Sequence, residues 1–295
     1  MAHCTVPAAE SLLDREVRVL DKGFVRLVDY MGGDDRIVQA ARVSYGEGTK
    51  SYREDAGLID YLLRHEHTSP FEQVILTFHV KLPIFVARQW IRHRTARVNE
   101  VSGRYSVMKD EFYVPAPGDL AAQSEDNKQG RASEAMGEAS AGKVRELLEQ
   151  GQREAYGEYS DLLDTGLARE IARINLPLSL YTEWYWQIDL HNLFRFLSLR
   201  LDPHAQKEIR LYAAVLLDAA RAVAPSATAS FERHLLSGVR FSGTEMEELR
   251  RLLVKTGYAG FDAPDFGDAA TGGESLLKGK ELERFEEKLK NGRQL

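Results

Sequence analysis

A single cysteine, Cys4, stands among the 295 residues. One thiol cannot build a disulfide framework or a cysteine metal cluster, and Cys4 lies apart from every patterned segment, so no cysteine nucleophile is evident. A reducing, cytoplasmic setting is the expectation. Long apolar runs are also missing. The opening MAHCTVPAAESLL has no basic n-region, and the most apolar later run, Leu211 to Leu217, is stopped by Asp218, far short of the roughly 20 residues a membrane helix needs. Neither export nor membrane insertion is expected. The common phosphate fingerprints are absent too: there is no GxxxxGKS/T loop, no GxGxxG after a strand and no metal-spaced His/Cys set. Positive charge is in deficit overall, at a formal net charge of −6, which argues against the broad basic face of a nucleic-acid domain.

What is present is enough apolar material for a large core, 43% hydrophobic against 28% charged residues. One compact domain with trimmings is expected. Residues 17–30 alternate apolar and polar around Asp21-Lys22-Gly23, predicting two short strands and a turn. Asp34 and Asp35 open a helix, and a second helix covers Glu54 to Glu66. QVILTFHVKL (73–82) predicts a strand, and Pro83 starts a helix on which Arg88, Gln89, Arg92 and His93 would form one polar stripe. Ser102 to Tyr113 reads weakly as strand. Gly118 to Lys143, poor in large apolar residues, resembles an inserted loop or a loosely held helix. Helical patterning resumes at Val144–Leu163, Leu167–Ile174 and Leu190–Leu199, with SLYTEWYWQID between them β or irregular. Asp202-Pro203 reads as an N-cap with proline at the first helical position, which would set Arg200 before a helix mouth. Beyond about Gly243 the chain is a charged, weak-core tail.

One stretch runs against the overall charge. Residues 88–105, RQWIRHRTARVNEVSGRY, hold five arginines, with only Glu100 opposing them, a local balance of +4. Arginines on a helix can be a solvated face or ion pairs within the fold. They can neutralise nucleic-acid phosphates. They can also converge on a small phosphate, since guanidinium forks match its oxygens in pairs. His65, His67 and His79 lie close in sequence but on different elements, and structural or solvent-facing roles suit them better than metal binding.

RHRTARVNEVSGRY (92–105) closely resembles the RHRxxSxNExSxRY signature of flavin-dependent thymidylate synthases. LDKGFVRLVDYMGGD, AARVSY, HTSPFEQVILTFHVKLPIFVARQWIRHR, REIARINLPLSLYTEWYW and DLHNLFRFLSLRLDPHAQKEIR resemble the same family in the same order, over about residues 17–236. Two positions depart from it: Arg97 replaces the signature's first serine, and Arg195 stands where His or Asn is expected. The resemblance implies an α/β (α+β) fold, a mixed or antiparallel sheet packed with helices, assembled as a homotetramer with active sites at subunit interfaces. Residues 1–16 would be a tail, 17–240 the catalytic domain with 118–143 as an insert, and 241–295 a charged extension. It implies reductive methylation of dUMP to dTMP, with the methylene from 5,10-methylenetetrahydrofolate and the hydride from FAD recharged by NADPH, without a cysteine nucleophile. By the same resemblance dUMP would meet Gln89, Arg92, Glu100, Ser102, Gly103, Arg104, Arg173 and Arg200. Arg200 would be catalytic, drawing negative charge into the pyrimidine ring. FAD would meet Ser44, Ser69, Arg92, His93, Arg94, Glu100, Asp189, His191 and Arg195. No metal, membrane or nucleic-acid partner is implied. The alternatives are a flavoenzyme methylating another pyrimidine nucleotide, and a nucleotide- or RNA-binding protein without turnover.

Overall fold

The strands predicted around Asp21-Lys22-Gly23 are β1 (Glu16–Val19) and β2 (Gly23–Met31), paired antiparallel with Val19 opposite Gly23. Glycine is required there by close approach, because a Cβ would stand 2.1 Å from the Tyr212 hydroxyl, which itself donates to the Lys81 carbonyl at 2.8 Å. β3 (Ile75–Pro83) pairs with β2, β7 (Tyr181–Asp189) with β3, and β4 (Arg97–Glu100) with the far side of β7. The sheet order β1-β2-β3-β7-β4 is antiparallel throughout, as expected for this fold class. This computed structural model describes residues 5–43, 52–125 and 128–255, with scattered positions from 277 to 289. Cys4 and Ser44 lie outside the described residues.

The helices are α1 (Pro7–Glu10), α2 (Asp34–Arg42), α3 (Tyr52–Arg64), α4 (Ile84–Trp90), α5 (Glu138–Asp164), α6 (Arg169–Ala172), α7 (Leu190–Arg200), α8 (Lys207–Val223), α9 (Pro225–Phe231) and α10 (Gly243–Lys255). The two-residue period of the strands puts Val25, Leu27, Leu76, Phe78, Val80, Leu82, Trp184, Trp186 and Ile188 on one buried face. α7 and α8 contribute Phe196 and Tyr212 to the core. Trp90, fully buried, is its hub: the rings of Phe196, Trp186, Trp184 and Tyr212 lie 4.9, 5.1, 5.7 and 5.9 Å away. Such pairs add about 0.5–1.5 kcal/mol each beyond the area they bury. On the other sheet face His79 is half-buried between Arg26 (3.0 Å) and Glu183 (3.3 Å), a structural setting for that histidine.

Five expectations change. The helix after Pro83 stops at Trp90, where Ile91 N closes the last turn on the Ala87 carbonyl and His93 N turns back to the Trp90 carbonyl, so Arg92 and His93 follow in a turn and do not extend a helical stripe. The strand falls at residues 97–100, ahead of 102–113, because Val98 registers against Trp186; Ser102 instead starts a turn, its carbonyl accepting from Tyr105 and Ser106. Asp202 caps no helix: its carboxylate takes the His204 N–H at 2.9 Å, and α8 begins only at Lys207, after Gln206. Residues 118–143 contain a hairpin, β5 (Ala121–Gln123) with β6 (Arg131–Ala135), followed by the first turn of α5. From residue 5 the N-terminal segment is held, with Ala9 buried and the Tyr30 hydroxyl accepting from Val6 N at 2.7 Å and donating to Glu10.

The chain divides into a unit ending at Phe231 and a second from Glu232 onward. In the second, Arg251 Nη2 lies 2.6 Å from the Glu248 carboxylate, one turn away on α10. Among the described residues no helix is long and apolar enough to cross a membrane.

Candidate active site

Because α4 ends at the buried Trp90, the next residues are turned outward: Arg92 and Arg94 are exposed and His93 is half-buried. α7 buries Leu193, Phe194, Phe196 and Leu197, which leaves Arg195 and Leu199 facing out and Arg200 in the last turn. Phe196 carries the two segments together, its ring 4.7 Å from that of His93. There Arg200 Nε donates to His93 Nε2 at 3.0 Å, and Arg200 Nη2 donates to the Gln89 carbonyl at 3.2 Å. A guanidinium can only donate, so His93 Nε2 holds the lone pair and the ring proton sits on Nδ1. Burial, reinforced by the charges of Arg200 and Arg195, holds His93 down at about 4. Burial and neighbouring Arg92 also lower Arg200 from the usual guanidinium value.

This crowding of like charge is uncompensated. Among the described residues none of Arg88, Arg92, Arg94, Arg97, Arg173, Arg195 and Arg200 is ion-paired to a carboxylate. Guanidinium groups gathered without counter-charge repel one another, and an arriving anion relieves that cost. Of the two bland readings, a solvated face suits all but half-buried Arg200, while internal ion pairs do not describe these seven. Arg104 is the exception, 3.3 Å from Glu170.

A second group forms where β4 runs out. Val101 N donates to the Glu183 carbonyl at 2.9 Å, and Glu100 accepts from the buried Thr182 hydroxyl at 2.6 Å. The following turn presents Ser102, Gly103 and Arg104. Gly103 packs on Arg173, where a Cβ would come within 3.0 Å of Arg173 Cδ and 2.8 Å of Met108 Sδ. Arg169 Nη1 ties this turn to α6 by donating to the Tyr105 carbonyl at 3.0 Å, and the Tyr105 side chain is left 77% exposed.

A third group surrounds the start of α7. Ser69 is in the turn before the 3₁₀ segment Phe71–Gln73, and Leu190 N donates to the Val74 carbonyl just beyond it at 2.8 Å. Asp189 spends both carboxylate oxygens on Asn192, its backbone N–H at 2.9 Å and its side-chain amide at 2.8 Å, as the N-cap of α7. His191 and Arg195 are one turn apart on α7 and share a side.

Apart from exposed Arg94 and from Ser44, which lies outside the described residues, the sequence-predicted residues fall into three sets: Gln89, Arg92, His93, Arg195 and Arg200; Glu100, Ser102, Gly103, Arg104 and Arg173; and Ser69, Asp189 and His191. No hydrogen bond or ion pair among the described residues joins the first set to the second. Arg200 departs from expectation in one respect. It ends α7 and does not precede a helix mouth, and a helix C-terminus carries partial negative charge, so any pull on an anion comes from the guanidinium itself. Sequence reasoning passed over Gln206, whose side chain accepts a hydrogen bond from Gln89. The only signal available was its place shortly after Arg200.

The sequence of this chain matches two family profiles, "Thymidylate synthase complementing protein" over residues 26–226 and "Thymidylate synthase ThyX C-terminal domain" over residues 239–295. The segment read from composition as a charged tail thus has a family match of its own. The chain is 64% identical over 283 residues to the flavin-dependent thymidylate synthase of Treponema denticola, covering 96% of this chain and 100% of that protein. It is 58% identical over 242 residues to the flavin-dependent thymidylate synthase of Thermus thermophilus, covering 82% and 87%. Its fold is similar to the crystal structure of a UMP/dUMP methylase PolB from Streptomyces cacaoi bound with 5-Br dUMP, at a TM-score of 0.69 and 34% identity over 75% of this chain and 99% of that one. Signature arginines left without carboxylate partners at Arg92, Arg94 and Arg97, and matches along nearly the whole length, agree: the chain belongs to the flavin-dependent thymidylate synthase family.

Proposed function

We propose that this chain methylates dUMP to dTMP, taking the methylene from 5,10-methylenetetrahydrofolate. The observation that carries the proposal is the convergence around His93 of arginines without carboxylate partners from two segments, Arg92 after α4 and Arg195 and Arg200 on α7, in a chain whose total charge is negative. The phosphate of dUMP brings nearly two negative charges, and Gln89, Arg92, Ser102, Gly103, Arg104 and Arg173 supply donors for it, with Glu100 beside the sugar. Those residues come from two sets with no bond between them. A site completed by another copy of the chain accommodates both, and exposed Ile91, Val98, Val101, Tyr105, Ile174 and Leu199 offer apolar surface for such an assembly, a homotetramer in this reading.

The donor set also fits a flavin diphosphate. Ser69, Arg92, His93, Arg94, Glu100, His191 and Arg195 would hold FAD, with Asp189 fixing the start of α7, and Ser44 belongs to the same proposal. When bound and reduced by NADPH, FAD supplies the hydride. The chain's part is to make uracil C5 nucleophilic. Arg200, its orientation fixed by His93 and the Gln89 carbonyl, favours negative charge in the ring, so C5 can attack the methylene carbon with no thiol added at C6, the folate C–N bond breaking with its electron pair to nitrogen and C5 then giving up its proton. A cytoplasmic location accords with the single cysteine.

An anaerobic single turnover tests this. The flavin of the purified protein is reduced, dUMP and methylenetetrahydrofolate are added, and visible absorbance is followed. Reoxidation only with both substrates present is the expected outcome. A folded preparation that takes up no flavin and releases no tritium from C5 of dUMP overturns it. Because the similar Streptomyces protein is described as acting on UMP and dUMP, UMP is run in parallel; turnover of UMP alone moves the assignment to another pyrimidine nucleotide.

A further inference from the structure

A cleft of about 880 Å³ lies under the β5–β6 hairpin, walled by Phe85, Tyr113, Arg131 and the first turn of α8. Most of its charges answer one another. Arg131 Nη2 reaches both oxygens of Glu208 at 2.6 and 2.8 Å, Tyr113 donates to the same carboxylate at 3.2 Å, and Lys207 pairs with Asp119. Glu208 is only 4% exposed, so the pairs clamp the hairpin onto the start of α8 and leave little net charge for a ligand. What the clamp fixes is the residue just before it. Gln206 is the N-cap of α8, and its Oε1 accepts from Gln89 Nε2. Gln89 in turn offers its carbonyl to Arg200.

We propose that Gln206 is a positioning residue for the nucleotide, holding the Gln89 amide in one orientation, and that the hairpin serves the site by anchoring Gln206. The inference rests on dUMP being the substrate. Gln89 has one amide oxygen and two N–H groups; with one N–H spent on Gln206, the oxygen and the other N–H stay aimed for a ligand. A freed Gln89 must be ordered each time the nucleotide binds, and that ordering weakens binding.

The test is calorimetric dUMP binding to the flavin-loaded full chain. Gln206→Met, equal in length but without an acceptor, is expected to raise Kd about fivefold to tenfold. Gln206→Ser, a stronger helix cap too short to reach Gln89, is expected to stay as weak. In a Gln89→Met background, Gln206→Met is expected to change nothing further. An unchanged Kd in Gln206→Met, wild-type binding in Gln206→Ser, or an equal loss in the Gln89→Met background each overturns the proposal. A wild-type protein that binds flavin but no dUMP sinks the substrate reading, and this inference with it, and is told apart by the wild-type titration alone.

Discussion

Arg200 Nε donates to His93 Nε2 at 3.0 Å, across 107 positions of sequence. The bond sets the histidine's tautomer, and the histidine and the Gln89 carbonyl together set the direction of the guanidinium.

Arg200→Lys keeps the charge and loses the fork. An ammonium cannot hold His93 and the Gln89 carbonyl and still face a pyrimidine with fixed geometry. Flavin reoxidation in a single turnover should slow about 30- to 100-fold, corresponding to roughly 2–3 kcal/mol of transition-state stabilisation. A rate within threefold of wild type would remove Arg200 from the chemistry.

His93 gives a pH signature. Its folded value of about 4 lies below the usual 6.5, so between these values the unfolded chain binds a proton that the folded chain refuses. Stability should therefore rise with pH from about 4 to 6.5 and level off above, moderated because the ring is half-exposed. Urea midpoints measured across this range for wild type and His93→Gln check it: the variant should show a shallower slope.

Gly103→Ala separates binding from stability. The new Cβ would press on two long, flexible side chains, at Met108 Sδ (2.8 Å), Arg173 Cδ (3.0 Å) and Arg173 Nη1 (3.2 Å). The fold can yield there at a cost of about 1 kcal/mol or less, but Arg173 must shift. Thermal melting should move by only a few degrees, while dUMP Kd rises about tenfold or more. A large drop in melting temperature with unchanged affinity would contradict this.

Cys4→Ser should leave turnover of dUMP unchanged, and alkylation of the wild-type thiol should not inhibit. Loss of activity in the serine variant would restore a cysteine nucleophile to the mechanism.

The strands around Gly23, the strand read at 73–82 and found at 75–83, and the helix read at 190–199 and found as α7 were legible because strand alternation and helical period are local: they need only neighbouring residues. The arginine stretch was visible in charge alone. The stop of α4 was not, since nothing in the sequence near Trp90 breaks a helix; the indole's place in a cluster with Trp184, Trp186, Phe196 and Tyr212 was equally invisible, being made of residues distant in the chain. Asp202-Pro203 misled for the opposite reason: a good local cap signal was overruled when the carboxylate turned to the His204 N–H.

The sequence by itself determined the family, through ordered segments and a signature in which arginines outnumber acids. It also determined the alternating strands and the want of any second cysteine. Only the tertiary structure decided that His93 faces Arg200, that Gly103 lies on Arg173, and that a segment resembling an insert clamps the helix carrying Gln206. Those are contacts between distant positions. Their existence depends on how the core packs, and a backbone period carries no record of which outward-facing side chains the packed core will bring together.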